Sequence, residues 1–250
     1  MAAAAAIEPG RKTNLRPVGD DVVVDVDVVV AENAEAAAEA AAEILVEAAR
    51  AGSEIALSGG STPTRAYELA AAAEPDWGSA SVWLVDERMV PADDPLSNAG
   101  LVKAALLASL SAAPRTHFVR TDLSPTDAAD AYDEELRAGA LTVALLGVGA
   151  DGHTASLFPD APELHVQGRL AVATEPGLEP WVPRVTLTIP ALAAVAHVVF
   201  VVTGASKAEA VRRALAEPPS PATPASLVRS HGRTTTILDV SAASLLPQPS

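Results

Sequence analysis

Residues 145–159 read LLGVGADGHTASLFP and place a glycine-rich loop directly after an apolar run. The run, residues 141–146, predicts a buried strand, and the three glycines that follow permit a tight loop with positive φ angles. The letters match the G-x-G-x-x-G pattern of dinucleotide-binding loops, which places the pyrophosphate at the start of a long helix. Pro159 leaves room for little more than one helical turn. The stretch therefore favours a strand-end loop built around Asp151 and His153 over a nucleotide site.

Strands and helices alternate on both sides of this stretch. The predicted strands are 22–30, 54–57, 82–85, 117–120, 141–146, 170–173, 184–189, 197–203 and 234–240. The predicted helices are 34–50, one that begins near Pro63, 98–108, 126–138 and 205–216, with Asn33 and Asn98 as candidate caps. Residues 86–97 are a predicted polar loop, and residues 217–224 a predicted proline-rich surface loop. This alternation predicts an α/β fold with a mostly parallel sheet and helices on both faces.

Length and composition limit the function classes. The 250 residues are predicted to form a disordered tail over residues 1–20 and a single α/β domain over residues 21–250. The sequence has no cysteine, which excludes thiol chemistry and fits a cytoplasmic location. A formal net charge of −15 disfavours nucleic acid and anionic membranes as partners. The same charge repels phosphorylated metabolites, so a site for them would need a local cluster of basic groups.

Ligands of such sheets bind beyond the carboxyl ends of the strands, so the residues there are the candidate site. The first group follows the second predicted strand and combines hydroxyls, glycines and a helix start, which together suit an anion such as phosphate. Its members are Ser58, Gly59, Gly60, Ser61 and Thr62. The alternative interpretation is a simple turn with a helix cap. Neither serine lies in a nucleophile motif.

Charged residues follow other strands. Arg88 is predicted to bind phosphate or a sugar oxygen, and the preceding Asp86 and Glu87 to bind hydroxyls or to hold Arg88. Arg184 opens a strand. Lys207 stands in the first turn of a helix, where a cation is unfavourable unless an anion lies nearby. The alternatives are a solvated loop with an internal ion pair for residues 86–88 and a solvated lysine for Lys207.

His153 is the candidate for proton transfer. Histidine moves protons near neutral pH, and the loop is predicted to present His153 toward the crevice with Asp151 two residues before it. The remaining histidines have no comparable surroundings and are predicted to be structural. These are His117, His165, His197 and His231.

Five segments together resemble the family of 6-phosphogluconolactonases and glucosamine-6-phosphate deaminases and isomerases. In chain order they are LSGGSTP (57–63), VDERMVPADDPLSN (85–98), LLGVGADGHTASLFP (145–159), PRVTLTIPAL (183–192) and TGASKAEAV (203–211). The resemblance implies a Rossmann-like fold and hydrolysis of 6-phospho-D-glucono-1,5-lactone, a small-molecule substrate, with no metal or cofactor. It implies that His153 is a general base on water and that Asp151 orients it or contacts substrate. The 58–62 loop, Arg88, Arg184 and Lys207 would clamp the phosphate and the sugar.

Two alternatives remain at this point. The deaminases of the family carry a carboxylate partner for the histidine in a pattern like A-F-N-E-P, whereas residues 154–159 here are TASLFP, with no acid before Asp160. That difference favours a lactonase. A non-catalytic sugar-phosphate-binding regulator would keep the anion-binding residues and would not need His153.

Overall fold

The central feature of the computed structural model, which describes residues 12–15, 26–177 and 179–247, is a largely parallel sheet. Within these residues eight strands pair in the order β1-β2-β11-β10-β7-β3-β4-β6. They are β1 (Lys12–Leu15), β2 (Val26–Ala31), β3 (Glu54–Leu57), β4 (Ser81–Leu84), β6 (Arg115–His117), β7 (Val143–Leu146), β10 (His197–Val202) and β11 (Arg233–Asp239). Every pair is parallel except β1 with β2. The predicted fold class is confirmed.

Helices cover both faces of this sheet. They are α1 (Ala34–Arg50), α2 (Ser61–Ala73), α3 (Asn98–Ala105), α4 (Pro125–Arg137), α5 (Ile189–Ala194) and α6 (Ala208–Ala216). Consecutive strand residues point to opposite faces, so that Leu145 packs in the core under α1, α2 and α3 while Leu146 packs in the core under α4, α5 and α6. The central strands β7 and β10 are nearly continuous apolar runs because both of their faces are buried.

A second sheet lies beside the first and changes one prediction. Among the described residues it consists of β5 (Asp86–Arg88), β9 (Arg184–Leu187) and β8 (Ala171–Thr174), all antiparallel. Residues 86–88 were predicted as loop, which is wrong, because β9 supplies the backbone partners that a polar triplet needs to form a strand. The predicted strand 184–189 ends early, since Thr188 caps the short helix α5, which sequence reasoning missed.

Two predictions at helix starts have different outcomes. The side chain of Asn33 accepts a hydrogen bond from the Ala36 N–H and caps α1, as predicted. Asn98 does not cap α3: the Ser97 hydroxyl accepts from the Gly100 N–H at 3.0 Å. The amide of Asn98 is used elsewhere, in the cavity described below.

The prediction of a disordered tail over residues 1–20 falls mostly outside the described residues. Within it, Lys12–Leu15 form β1 and pair with β2 from Val26 to Val29. These four residues therefore belong to the sheet rather than to a tail. No helix in the described ranges has both the length and the apolar composition needed to cross a membrane.

Asp133 of α4 anchors the second sheet, which gives a first prediction. Its carboxylate accepts from the backbone N–H groups of Leu170 and Ala171 and from Arg137 at 2.9 Å. Burial alone would raise the pKa of Asp133, but these donors outweigh it and hold the pKa below its ordinary value. We expect Asp133→Asn to lower the free energy of unfolding at pH 7 by about 1–3 kcal/mol, measured by urea denaturation.

Because the folded-state pKa is lowered, this stabilisation is complete above the ordinary aspartate pKa and is lost as pH falls through the lowered value. The difference between wild type and Asp133→Asn should therefore narrow between about pH 5 and pH 2. Asp130→Asn is the matched control, since Asp130 is an exposed residue of the same helix that pairs with Arg169. If the difference in free energy of unfolding between wild type and Asp133→Asn did not vary with pH, the Asp133 carboxylate would not be the source of the stabilisation.

Candidate active site

A cavity of about 240 Å³ opens at the carboxyl ends of β3, β7 and β10. From β3 the chain adds β4 and β6 on one side and then returns to add β7 and β10 on the other. This reversal leaves a crevice at the strand ends, the usual ligand position in such sheets. All the predicted site residues except Asp151 and Glu87 line it. They are Ser58, Gly59, Gly60, Ser61, Thr62, Asp86, Arg88, His153, Arg184 and Lys207.

The glycine-rich loop between β3 and α2 is fixed by Tyr67. The backbone N–H of Ser58 donates to the Tyr67 hydroxyl at 3.0 Å, and that hydroxyl donates to the Ser58 carbonyl at 2.7 Å. Burial raises the pKa of Tyr67, so the hydroxyl keeps its proton. Gly60 has a φ of 112°, and α2 begins at Ser61 without a side-chain cap. The first N–H groups of α2 are therefore open to an anion.

Asn98 connects the two ends of β5. Its amide nitrogen donates to the Asp86 carbonyl at 2.8 Å and to the Asp86 carboxylate at 3.1 Å. Its amide oxygen accepts from Arg88 at 3.0 Å, and Arg88 also donates to the Leu96 carbonyl at 2.8 Å. A Cβ on Gly59 would lie 2.2 Å from the Asn98 amide oxygen. Gly59 is therefore needed for the close approach of Asn98, whereas Gly60 supplies the positive φ of the loop.

Arg184 reaches the same cavity from β9. It lies 3.5 Å from the Ser156 hydroxyl, which donates to the Asp86 carboxylate at 2.6 Å. Its guanidinium stands over the Phe158 ring, 5.2 Å from the ring centroid. Burial lowers the pKa of Arg184, and the charge of Arg88 lowers it further. Two cations that repel each other across a cavity favour an anion between them.

His153 is held by Asp151. The His153 Nδ1 lies 2.6 Å from the Asp151 carboxylate, which also accepts the His153 backbone N–H at 3.2 Å. Partial burial would raise the pKa of Asp151, but the hydrogen bond and charge interaction with His153 outweigh it and hold the pKa at about 2. Asp151 is then a carboxylate throughout the range in which histidine titrates. It fixes Nδ1 as a donor and leaves Nε2 free to accept.

The glycines of this loop have roles other than the predicted one, which was to adopt positive φ angles. Only Gly152 has a positive φ, 101°, so the expectation for Gly147 and Gly149 is wrong. Gly149 is needed for space: a Cβ there would lie 2.0 Å from His153 Nδ1 and 2.4 Å from the Asp151 carboxylate.

Lys207 lies in the segment that follows β10 and lines the cavity. Two threonines of the cavity wall are in contact with each other. The hydroxyls of Thr62 and Thr203 are 2.7 Å apart, and the Gly204 N–H donates to Asp239 at 3.0 Å. Lys207 ends the 3-10 turn Ala205–Lys207 and is the N-cap residue of α6, so it lies one residue before the α-helix rather than in its first turn as predicted. Its ammonium has no hydrogen-bond or ion-pair partner among the described residues.

Two predictions near the cavity are corrected. Glu87 neither binds at the cavity nor holds the Arg88 side chain; it is buried and accepts backbone N–H groups of β5 and α3. The proline-rich segment 217–224 is only partly on the surface, because Thr223 and Pro224 are buried beside the Gly152 loop.

Sequence reasoning missed several contributors. Asn98 was assigned only as a helix cap. Ser156 and Phe158 were considered only as members of the segment 154–159, which lacks the carboxylate found in the deaminases. The signal for Asn98 was its place at the end of the VDERMVPADDPLSN segment. No three His, Asp or Glu side chains in the described ranges converge as a metal site requires.

Comparison with known proteins places the chain in a family. The family model for glucosamine-6-phosphate isomerases/6-phosphogluconolactonase matches residues 25–237. The chain belongs to this family. A 6-phosphogluconolactonase of Homo sapiens is 38% identical over 217 residues, covering 80% of this chain and 83% of the relative. One of Streptomyces coelicolor is 33% identical over 247 residues, covering 88% and 95%.

A solved structure agrees with these sequences. The crystal structure of a 6-phosphogluconolactonase from Thermotoga maritima superposes with a TM-score of 0.74 at 29% identity, covering 86% of this chain and 99% of that one. The part matched by the glucosamine-6-phosphate isomerase/6-phosphogluconolactonase family includes every residue of the cavity described above, from Ser58 to Lys207.

The steric role of Gly149 gives a second prediction. We expect Gly149→Ala to separate His153 from Asp151, because the added methyl group would overlap both side chains. The pKa of Asp151 should then rise from about 2, since burial would act without the opposing histidine. A ¹³C NMR titration of the carboxyl group measures this. Ala150→Ser, at the exposed neighbouring position, is the control. An unchanged pKa in Gly149→Ala would refute the steric argument.

Proposed function

We propose that the protein hydrolyses 6-phospho-D-glucono-1,5-lactone to 6-phospho-D-gluconate, a step of the oxidative pentose phosphate pathway. The observation that carries the proposal is the placement of His153, held by Asp151 at Nδ1, in one cavity with three basic side chains. The names of the relatives support the lactone as substrate.

The basic residues bind and orient the substrate. Arg88, Arg184, Lys207 and the open N–H groups of α2 surround the cavity and suit a phosphate and the oxygens of a sugar. A phosphate held at the far end of the substrate fixes the position of the lactone carbon. Binding energy from this non-reacting group then contributes to the reaction by orientation.

His153 acts as the general base and then as the general acid. Its Nε2 accepts a proton from a water molecule as the water oxygen bonds to C1 of the lactone. The C1–ring oxygen bond breaks as the tetrahedral intermediate collapses, and the protonated His153 returns the proton to that ring oxygen. The carbonyl oxygen carries negative charge in the intermediate, which Arg88 or backbone N–H groups stabilise. Asp151 holds the imidazole and stabilises its cationic form.

Features around His153 support a lactonase over an amino-sugar deaminase. The Phe158 ring centroid lies 5.5 Å from that of His153, and the segment 154–159 contains no carboxylate. Asp151 is thus the carboxylate that contacts His153 among the described residues. A binding protein without catalysis would have no use for the Asp151–His153 pair, so the pair supports an enzyme.

The third prediction tests the base. We expect His153→Ala to lower the turnover number by about 10²–10⁴-fold, the usual contribution of a general base. The affinity for 6-phosphogluconate, measured by calorimetry, should stay near that of the wild type because the basic residues remain. Acid release from freshly generated lactone measures turnover after subtraction of spontaneous hydrolysis. Near-full activity in His153→Ala would disprove the assignment, and a wild-type rate equal to background would disprove the lactonase proposal.

The fourth prediction concerns binding. We expect Lys207→Ala to weaken 6-phosphogluconate binding by about 10- to 100-fold, because a hydrogen bond to a charged group contributes about 1.5–3 kcal/mol. Lys103→Ala is the charge-matched control, since Lys103 lies over the Phe118 ring of a different surface. Equal affinity of the two variants would place the phosphate away from Lys207.

A further inference from the structure

Arg213 of α6 contacts the backbone of the loop that carries the catalytic pair. One guanidinium nitrogen donates to the Asp151 carbonyl at 3.1 Å and to the Ala150 carbonyl at 3.4 Å. Another donates to the Thr223 hydroxyl at 3.2 Å. A charged donor on a neutral acceptor makes a stronger hydrogen bond than a neutral one does. Arg213 thus ties this loop to a helix more than sixty residues later in the chain.

The segment around Thr223 supports the loop from the same side. The Ala225 N–H donates to the Gly152 carbonyl at 3.0 Å. A Cβ on Gly152 would lie 3.0 Å from the Thr223 side chain, so the two segments are in close contact. Residues 150–152 are therefore held between Arg213 and the proline-rich segment, directly before His153.

Helix α6 also begins at the cavity. Lys207 is its N-cap residue and lines the cavity, and Arg213 follows on the same helix. We infer that Arg213 is a positioning residue that holds the Asp151 backbone, and through it His153, in a fixed relation to the substrate clamp at Lys207. The inference deepens the proposed lactonase function and rests on it for its kinetic test.

The physical reason is the sensitivity of proton transfer to geometry. The Asp151–His153 contact is a side-chain hydrogen bond across two residues of an irregular loop, so its direction follows the loop backbone. A displacement of about 1 Å can lower a rate by about 10²-fold. None of the three hydrogen-bond partners of Arg213 given above lines the cavity, so the loss of Arg213 should alter turnover more than binding.

The experiment compares Arg213→Ala with Arg212→Ala. Arg212 is the adjacent arginine and pairs with Glu209 and Glu217 at the surface, so its loss should have little effect. We expect kcat for the lactone to fall by about 10- to 100-fold in Arg213→Ala with KM near the wild-type value. Guanidinium at millimolar concentration should restore part of the activity of Arg213→Ala. The kcat of Arg213→Lys should lie between those of the wild type and Arg213→Ala.

Hydrogen exchange provides a readout that does not depend on the reaction. The Gly149 and Gly152 amides bond within the loop, to the His153 and Gly149 carbonyls. In Arg213→Ala these amides should exchange faster while those of β7 stay unchanged. Should the wild type lack lactonase activity, the proposed function fails, whereas exchange still tests the loop contact.

Three results would overturn the inference. One is a kcat and a rate of loop amide exchange in Arg213→Ala that equal those of the wild type. A second is a rise in KM with kcat unchanged, which would make Arg213 a binding residue. The third is a uniform increase in exchange with a lower Tm in both Arg213→Ala and Arg213→Lys, which would show a purely structural role.

Discussion

The site depends on one buried carboxylate, that of Glu87. It accepts a hydrogen bond from the backbone N–H of Arg88, the next residue in the chain. At the start of α3 it accepts from the N–H groups of Asn98 and Ala99 and from the Ser97 hydroxyl. Burial raises the pKa of Glu87, and these donors oppose the shift. Because a buried carboxylate without donors is costly, β5 and the start of α3 must stay together. Asn98 then stands between Asp86 and Arg88, and Asp86 in turn orients Ser156 beneath Arg184.

This arrangement gives a strongly acidic chain a local cluster of basic groups that suits an anion. The chain carries a formal charge of −15, yet Asp86 is the only carboxylate among the described residues that line the cavity. Its oxygens are engaged by Asn98 and Ser156, whereas Lys207 has no partner in the described structure. Arg184 is buried with a lowered pKa, so its charged form is stabilised when an anion enters. Focusing of the field in a cleft lets a few cations outweigh the distant acidic surface.

The sequence predicted those parts of the fold that depend on local patterns. The bounds of α1 and β3 agree with the prediction, because apolar periodicity and a capping Asn33 act within one segment. Most of the cavity residues were found because they lie in segments that follow strands, whereas Arg184 was found because it opens one. β5 was missed because a polar triplet becomes a strand only when β9 pairs with it. Ser97 and Asn98 both suit a helix cap, and the choice between them depends on Asp86 and Arg88, which no local pattern encodes.

The loop that carries Asp151 and His153 shows why the residue types of a site and their exact placement have different origins. Asp151 and His153 are visible in the sequence because their residue types and spacing suit proton transfer. Their geometry depends on contacts that give no local signal: the missing Cβ of Gly149, the Arg213 hydrogen bonds and the close packing of Thr223. An irregular backbone has no hydrogen-bond ladder of its own to limit its motion, so packing from α6 and the proline-rich segment must supply that limit. The motif therefore supplies the groups to which we assign proton transfer, and the packing of residues far along the chain determines where those groups lie.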